Sequence, residues 1–374
     1  MFSANNLQAL SLVRKAVFSL VAITLLSLPA TAQLFSVTWL VSDISNVGSQ
    51  PTDPNLNNPW GIAASGSSPW WVADNGTGVL TLYDGMGVKQ GLTVNVPQWD
   101  MTPGGVPSGQ IFNSTQDFNL PNQKPALFIV STEDGTIQGW NGGTTTTITV
   151  NGWPNAVYKG LVLGSANGAN YIYAANFRAG TVDVFDGSFQ PHSFGPGTFV
   201  DNTLPTGYAP FNVANVGGNI IVAYALQDAD KHDDVGGIGH GYIDVYTSQG
   251  VLLQRLPHVF QLNSPWAMVV APSNGWGNFS GKLLVGQFGS GAIIAYDLPT
   301  NTFAGVLQDD AGLPIRINGL WGLGFGNGAK SGPTNTLYFA AGYFDEAHGL
   351  FGTITVANNV LSHTQRGTHA KSSK

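Results

Sequence analysis

The densest chemistry in the chain lies in Gln227-Asp-Ala-Asp-Lys-His-Asp-Asp234, followed by Val235-Gly-Gly-Ile-Gly-His-Gly241. Asp228, Asp230, Asp233 and Asp234 crowd four carboxylates beside Lys231 and His232. Such crowding costs repulsion unless a cation offsets it, and an oxygen-rich set suits Ca²⁺ or another divalent ion. The spacing is not that of an EF-hand loop. Asp228 and Asp230 fit its first and third positions, but His232 holds the fifth, Asp233 the sixth and Gly239 the twelfth. Salt pairing among Lys231, His232 and the aspartates is the alternative use of the same residues.

A second set is spread along the chain in short polar turns: Asp74-Asn75-Gly76, Glu133-Asp134-Gly135, Asn176-Phe177-Arg178, the stretch from Gln227 to His240, Gln287-Phe288-Gly289, and Asp345-Glu346-Ala347-His348. The chain has only two glutamates, Glu133 and Glu346, and both fall in these turns. Tight-turn chemistry accounts for Asp74-Asn75-Gly76. It does not account for Glu133, Arg178, Glu346 or His348. Their placement makes this rim the candidate binding face, since loops on a rigid scaffold carry function.

Standard catalytic signatures are absent. The sequence has no Gly-x-Ser-x-Gly elbow and no His-Glu-x-x-His helix. Gly322-Leu-Gly-Phe-Gly-Asn-Gly-Ala-Lys-Ser331 lacks the Gly immediately before the Lys of a phosphate loop and aligns with strands elsewhere. Cysteine is absent, which removes disulfides, thiolate metal sites and a thiol nucleophile. Asn75, Asn113 and Asn278 head glycosylation sequons, which matter only in a eukaryotic secretory host.

The elements that position these turns come from a repeat. Ala174-Ala-Asn-Phe-Arg-Ala-Gly-Thr-Val-Asp-Val-Phe-Asp186 reads as strand, turn and strand, with the period-2 alternation of a sheet. Matching units start at Val72, Val130 and Val285, and versions with longer turns run through 223–246 and 340–356. Six copies at a spacing of roughly 50 residues indicate a propeller. Each copy opens on a second signal, Asn followed at the third position by an aromatic: Asn57 and Trp60, Asn155 and Tyr158, Asn263 and Trp266, Asn318 and Trp321. Tyr208 with Phe211, and Gly109 with Phe112, are variants. This motif begins the strand that lines the central channel. Trp60, Tyr158, Phe211, Trp266 and Trp321 are thus candidates for flat apolar surface at the channel mouth, with packing between blades as the alternative. The channel asparagines either aim carbonyl oxygens at an axial ion or make the turn into the strand; the turn is favoured.

The expected fold is all-β: a six-bladed β-propeller of four-stranded antiparallel blades. Its blades fall near 58–97, 107–150, 156–195, 207–257, 263–310 and 318–356. Residues 33–57 carry a strand, Phe35-Ser-Val-Thr-Trp-Leu-Val41, expected to add an outer strand to the last blade and close the ring. Arg14 and Lys15, the apolar run from Ala16 to Leu28, and Pro29-Ala-Thr-Ala32 have the order of a secretory signal peptide, removed before Gln33. Residues 358–374 read as a disordered polar tail.

With the leader removed, 12 basic residues face 21 acidic ones, a net charge of −9. This balance argues against nucleic acid as a partner, because that affinity comes mainly from Lys and Arg on phosphate. Charged residues make up only 9% of the chain, against about 25% in an ordinary domain. Blades covered on both faces leave little solvated surface and explain the deficit. No stretch after the leader has the length of a membrane-spanning helix.

Several stretches together resemble a family of secreted bacterial proteins noticed alongside PEP-CTERM-sorted exoproteins. They are Asn58-Pro-Trp-Gly61, Asp74-Asn-Gly-Thr-Gly78, Thr132-Glu-Asp-Gly135, Tyr158-Lys-Gly160, Ala174-Ala-Asn-Phe-Arg178, Tyr208-Ala-Pro-Phe-Asn212, the acidic stretch from Gln227, and Asp345-Glu-Ala-His-Gly-Leu-Phe-Gly352. The likeness spans about Leu40 to Val356 and implies a propeller without an assigned activity. The chain departs from that family in lacking a Pro-Glu-Pro motif with a hydrophobic anchor. More loosely it is similar to NHL-repeat and gluconolactonase-like six-bladed propellers. The lactonases among them hold one divalent ion with Glu, Asn and Asp, an arrangement the two glutamates here do not match.

The functional expectation is a secreted, monomeric binding protein. Its ligand is a small polar molecule, a glycan or another exported protein, held by Asp74, Asn75, Glu133, Asp134, Asn176, Arg178, Gln227, Lys231, His232, Gln287, Asp345, Glu346 and His348. The alternatives are a metal-assisted hydrolase or lactonase, with His232 or His348 relaying protons, and a structural envelope or matrix protein.

Overall fold

The middle strands of each repeat are apolar on both faces. Trp70–Asp74, Val79–Tyr83 and Phe128–Thr132 are buried along their whole length. A strand of that kind needs cover on two sides, which stacked sheets around an axis supply. In the computed structural model, which describes residues 33–357, six sheets meet this need. Five blades are four-stranded antiparallel sheets in simple up-and-down order, from the axis outward. Their inner strands are Pro59–Ala63, Pro107–Phe112, Tyr158–Ala166, Tyr208–Val216 and Pro265–Val270. The outer strands are half solvated; Thr147–Asn151 and Thr302–Val306 have no fully buried residue.

The sixth blade closes the ring as expected. Its inner three strands are Leu320–Phe325, Leu337–Tyr343 and His348–Val356, and the N-terminal strand Leu34–Ser42 pairs antiparallel with the third of them. Phe35 lies opposite Val356 and Ser42 opposite Leu350. One detail departs from a plain four-stranded blade. Gln308–Asp309, in the linker leaving blade five, adds a short parallel strand outside Leu34 and Phe35. Apolar side chains fill the gaps between blades, as in the cluster of Phe35, Trp276, Leu284, Ile293, Leu320, Phe339 and Ile354 between blades five and six. No helix among the described residues is long and apolar enough to cross a membrane. The leader and tail readings lie outside the described residues.

Near its start, every inner strand breaks register with the second strand. The breaks fall between Pro59 and Ile62, Pro107 and Gln110, Tyr158 and Gly160, Pro210 and Asn212, Pro265 and Met268, and Leu320 and Leu323. A bulge leaves an unpaired residue and re-aims its side chain. The residue freed first in each blade is Trp60, Ser108, Lys159, Phe211, Trp266 and Trp321. Backbones crowd closely where these strands converge. A Cβ on Gly160 would lie 1.9 Å from Asn212 Oδ1, and one on Gly109 would lie 2.8 Å from Gly160 Cα, so only glycine fits there.

Candidate functional site at the channel mouth

The six bulge residues form the floor of the candidate site. Trp60 stacks on Trp321 with ring centroids 3.6 Å apart, and Phe288 stacks on the same indole at 3.9 Å. Trp266 meets both Trp60 and Trp321 edge-on. Phe211 packs against Trp321, and all of these rings except Phe288 are buried. The expectation of open aromatic surface is therefore corrected: the rings of Trp60, Phe211, Trp266 and Trp321 bury one another and plug the channel. Their buried N–H groups find acceptors, Trp60 Nε1 on Asn58 Oδ1 at 3.1 Å and Trp266 Nε1 on the Lys159 carbonyl at 3.0 Å.

Tyr158 is corrected differently. The third position after the asparagine reaches the axis in blades one, five and six, but in blade three the register is one residue later. A slip of one residue turns a side chain to the opposite face. Tyr158 therefore packs between blades two and three and donates to Asp183 at 3.1 Å. Lys159 takes the axial place that aromatics hold in four blades, and Ser108 takes it in blade two.

Lys159 is 1% exposed. Its ammonium donates to Glu133, from the turn of blade two, and to Asp233 Oδ1 at 3.0 Å, from the long turn of blade four. The Trp60 ring centroid lies 5.1 Å from Nζ and the Phe177 ring 5.9 Å, so the cation also rests over aromatic faces. Burial alone would lower the lysine pKa; the charges of Glu133 and Asp233 outweigh it and hold Lys159 above its ordinary value. Glu133 is completed by Asn75 Nδ2, which donates to Oε2 at 2.6 Å. Asn58 Nδ2 in turn approaches Asn75 Oδ1 at 3.4 Å.

Glu346, from the turn of blade six, accepts from Trp321 Nε1 at 3.2 Å. Burial raises the Glu346 pKa and the charge of Glu133 raises it further. On the open side, His232 Nδ1 lies 2.9 Å from Asp233 Oδ1. That contact raises the His232 pKa and, with Lys159, holds Asp233 well below the usual carboxylate range. Asp234 is raised by burial, with Ser264 and Lys159 opposing. Asn75, Glu133, His232, Asp233, Asp234 and Glu346 thus come from four turns distant in sequence, joined by Asn58 and Lys159, which the sequence reading passed over.

The remaining rim candidates hold turns. Asp74 points into blade one and accepts from Thr81 at 2.6 Å, with burial driving its pKa far up. Asp134 accepts from the Trp99 N–H at 2.8 Å and is raised by burial. Asn176 Oδ1 accepts from Ala179, and Gln287 Oε1 from Asn263. Arg178 leans away from the axis to the Pro154 carbonyl at 3.0 Å. Gln227 Nε2 donates to the Phe177 carbonyl. His348 lies 3.0 Å from Asp43, while Lys231 and Asp345 are exposed and their backbones have positive φ. The channel asparagines are turn formers too: Asn263 Oδ1 accepts from Gly237 at 2.7 Å and Asn318 Oδ1 from Phe344 at 2.9 Å. Of the sequon asparagines, Asn75 and Asn113 are buried and Asn278 is exposed.

The acidic stretch is corrected as a metal site. Asp228 Oδ1 accepts from the His232 N–H at 2.8 Å and shapes the turn, Asp230 is exposed, Asp233 pairs with Lys159 and Asp234 turns inward. The four carboxylates therefore do not converge. The group that does is Glu133, His232 and Asp233, whose potential ligand atoms lie within 4.8 Å of one another. Two of these three already bind the Lys159 ammonium, which supplies the positive charge a metal ion would bring.

No family model matches the chain. Two uncharacterized proteins of Acanthamoeba polyphaga mimivirus do. R648 is 31% identical over 338 residues, covering 86% of this chain and 80% of the relative. L690 is 30% identical over 334 residues, covering 86% and 85%. These relatives are viral, not the secreted bacterial proteins that the resemblance implied, and they lend no support to a PEP-CTERM association. Among solved structures, the soluble aldose sugar dehydrogenase of Escherichia coli aligns with a TM-score of 0.54 at 12% identity, covering 86% of this chain and 100% of that one. A streptogramin B lyase aligns with a TM-score of 0.50 at 13% identity, covering 86% and 97%. At such identities the likeness establishes the propeller fold alone. The chain belongs to the same family as the uncharacterized mimivirus proteins R648 and L690.

Proposed function

We propose that this is a secreted propeller that binds a small polar ligand carrying both hydrogen-bond donors and a charge, at the channel mouth. The observation that carries the reading is the exchange at one repeat position: where four blades put an aromatic into the plug, blade three puts Lys159, which pairs with Glu133 and Asp233, while Glu346 caps the neighbouring Trp321 indole. A ring that needed only to be stable would place a fifth aromatic there, because apolar replacements of buried ion pairs are often neutral or stabilising. Retaining the pair and a half-buried Glu346 fits a site kept for recognition. Glycan and exported-protein ligands are the other binding partners consistent with a polar rim.

Thermal-shift and calorimetric titration of the mature chain against amino acids, hydroxy acids and amino sugars tests the reading. Binding that is lost in Glu346→Gln and weakened in His232→Gln, with folding intact, supports it. Binding indifferent to both variants overturns it. Secretion is tested by the N-terminus of exported protein, expected at Gln33.

A metal-assisted hydrolase or lactonase is the second reading, favoured by the approach of Glu133, His232 and Asp233. An ion there must displace the Lys159 ammonium from two carboxylates. Stoichiometric Zn, Mn or Ca in purified protein, with ester or lactone turnover, would favour this reading over binding.

A further inference from the structure

Away from the channel mouth, a groove of about 560 Å³ opens between the linker leaving blade five and the outer half of blade six. We infer that this groove is a second binding site, and that it takes a neutral oligosaccharide.

The lining divides into two chemistries. Val37, Ile317 and Leu350 give it an apolar floor, and Trp39 and Tyr343 add aromatic surface. Trp39 is 40% exposed and is held edge-on against Tyr343 with ring centroids 5.7 Å apart. Around this surface stand Asp309, Asp310, Arg316 and Asn318. Several of these polar groups are not used internally. Among the described residues, the Trp39 indole N–H, the Tyr343 hydroxyl, the Asp310 carboxylate and the Asn318 side-chain amide N–H have no hydrogen-bond partner within the chain. Asp309 differs, since its Oδ1 accepts from Ala311 and Leu313 at 3.0 and 2.9 Å and shapes the linker turn.

The strand edge adds to this supply. Gln308–Asp309 pairs with Leu34 and Phe35 alone, and the Trp39 carbonyl is taken by Ser49, so an unpaired stretch of edge remains at residues 36–38. Ser36 and Val37 of that stretch line the groove. The volume lies in the range of small-ligand sites.

The occupant follows from this mixture. An exposed indole offers a flat apolar face at low entropic cost. Free donors and acceptors next to it suit a molecule whose faces carry C–H groups and whose rim carries hydroxyls, which is the chemistry of a pyranose ring. A purely apolar ligand would strand the polar groups without partners. An anionic one would meet Asp309 and Asp310 against the single Arg316. The groove is separate from the channel mouth, so this inference stands or falls independently of the function proposed above.

The test is a screen of the purified mature chain against soluble neutral oligosaccharides: cello-, xylo-, manno-, malto- and chito-oligosaccharides of two to six units. Calorimetry follows on the hits. A millimolar or tighter hit is expected, weakened at least tenfold by Trp39→Ala and several-fold by Tyr343→Phe and Asp310→Asn, with unchanged circular dichroism and melting. Trp39 is exposed, so its replacement leaves the core intact; Asp310→Asn keeps the test valid if Trp39→Ala misfolds. No binding across the panel, or binding that survives both Trp39→Ala and Asp310→Asn, overturns the inference.

Discussion

Two clusters in this molecule have the same charge makeup, two carboxylates around one base, and they are built to opposite ends. On the flank of blade four, Arg255 binds Asp244 at 2.9 Å and also Asp201. All three belong to one blade and the linker just before it, and Tyr224 and Tyr246 extend the cluster through hydroxyls 2.8 Å apart. Its work is local, tying the 196–207 linker down onto the sheet it precedes. At the channel mouth, Lys159 binds Glu133 and Asp233, residues of three different blades. The flank cluster is settled by chain neighbours; the axial one exists only once blades two, three and four have packed around the axis. The difference separates a staple from a site.

The two clusters part first at their bases. Removing one partner of a buried pair strands the other, at a cost of about 3–5 kcal/mol. Lys159→Met and Arg255→Met are both expected to lose stability on that scale in urea or guanidinium unfolding at pH 7. They should part on ligand affinity: Lys159→Met abolishes it, and Arg255→Met leaves it unchanged in whatever fraction remains folded. Equal effects on affinity would erase the distinction between staple and site.

Glu346 gives the next effect, and its sign is opposite. Burial raises its folded-state pKa above the unfolded value. A raised carboxyl favours the folded state below the unfolded pKa, and that advantage is lost as pH climbs through the folded pKa. Above that range the ionised group is a cost to the native protein. Glu346→Gln keeps an acceptor for Trp321 Nε1 and removes the charge. It is expected to melt higher than the parent at pH 7–8, by about 1 kcal/mol of stability, and to match it near pH 4. Ligand binding should fall at the same time. A variant that gains stability without losing affinity would mark Glu346 as incidental.

A smaller effect attaches to the turn at 227–240, whose closure onto Lys159 runs through Asp233 and His232. The histidine pKa is raised and that of Asp233 is lowered. Asp233 holds the pairing above the ordinary aspartate range and loses it as pH falls through its depressed value. His232 contributes below about 6.5 and releases as pH rises through its raised value. Asp233 is 66% exposed, so solvent screening keeps the contribution to a few tenths of a kcal/mol. Hydrogen-exchange protection at residues 227–240, taken relative to the intrinsic amide rate at each pH, is expected to fall between pH 6 and pH 8.5 in the parent, and His232→Gln is expected to remove that fall.

The ring itself could be read in the chain because each blade repeats a local pattern. The turn at Asp74, the strand from Thr181 to Asp186 and the closing strand near Phe35 each show their role within a dozen residues. Glu133 and Glu346 could be assigned to one rim, since turn position in an antiparallel blade fixes the face. What the repeat could not give was contact across blades. Lys159 and Glu133 are 26 positions apart, and Lys159 and Asp233 are 74 apart. The clue to Lys159 was a lone charge next to the aromatic that opens blade three, and it was masked by a bulge that shifts the register by one. Arg178 misled for the converse reason: its turn lies on the right face, but its side chain leaves the axis to satisfy a linker carbonyl.

The acidic stretch itself sets a measurable loss beside a null one, because its two leading aspartates differ. Asp228 accepts the His232 N–H and so fixes the turn that delivers Asp233 to Lys159. Asp228→Ala removes that acceptor and is expected to cost about 1 kcal/mol, a typical value for a lost side-chain to backbone bond. Asp230 is exposed at the tip. Asp230→Asn is expected to change neither melting nor affinity, with or without added Ca²⁺, because a surface substitution of this kind stays within about 0.5 kcal/mol. A Ca²⁺-dependent rise in melting temperature that vanishes in Asp230→Asn would show the tip recruiting an ion. It would also move the charge balance of the mouth from the lysine to the turn, since the same turn cannot both close on an ammonium through Asp233 and gather its carboxylates outward around a cation.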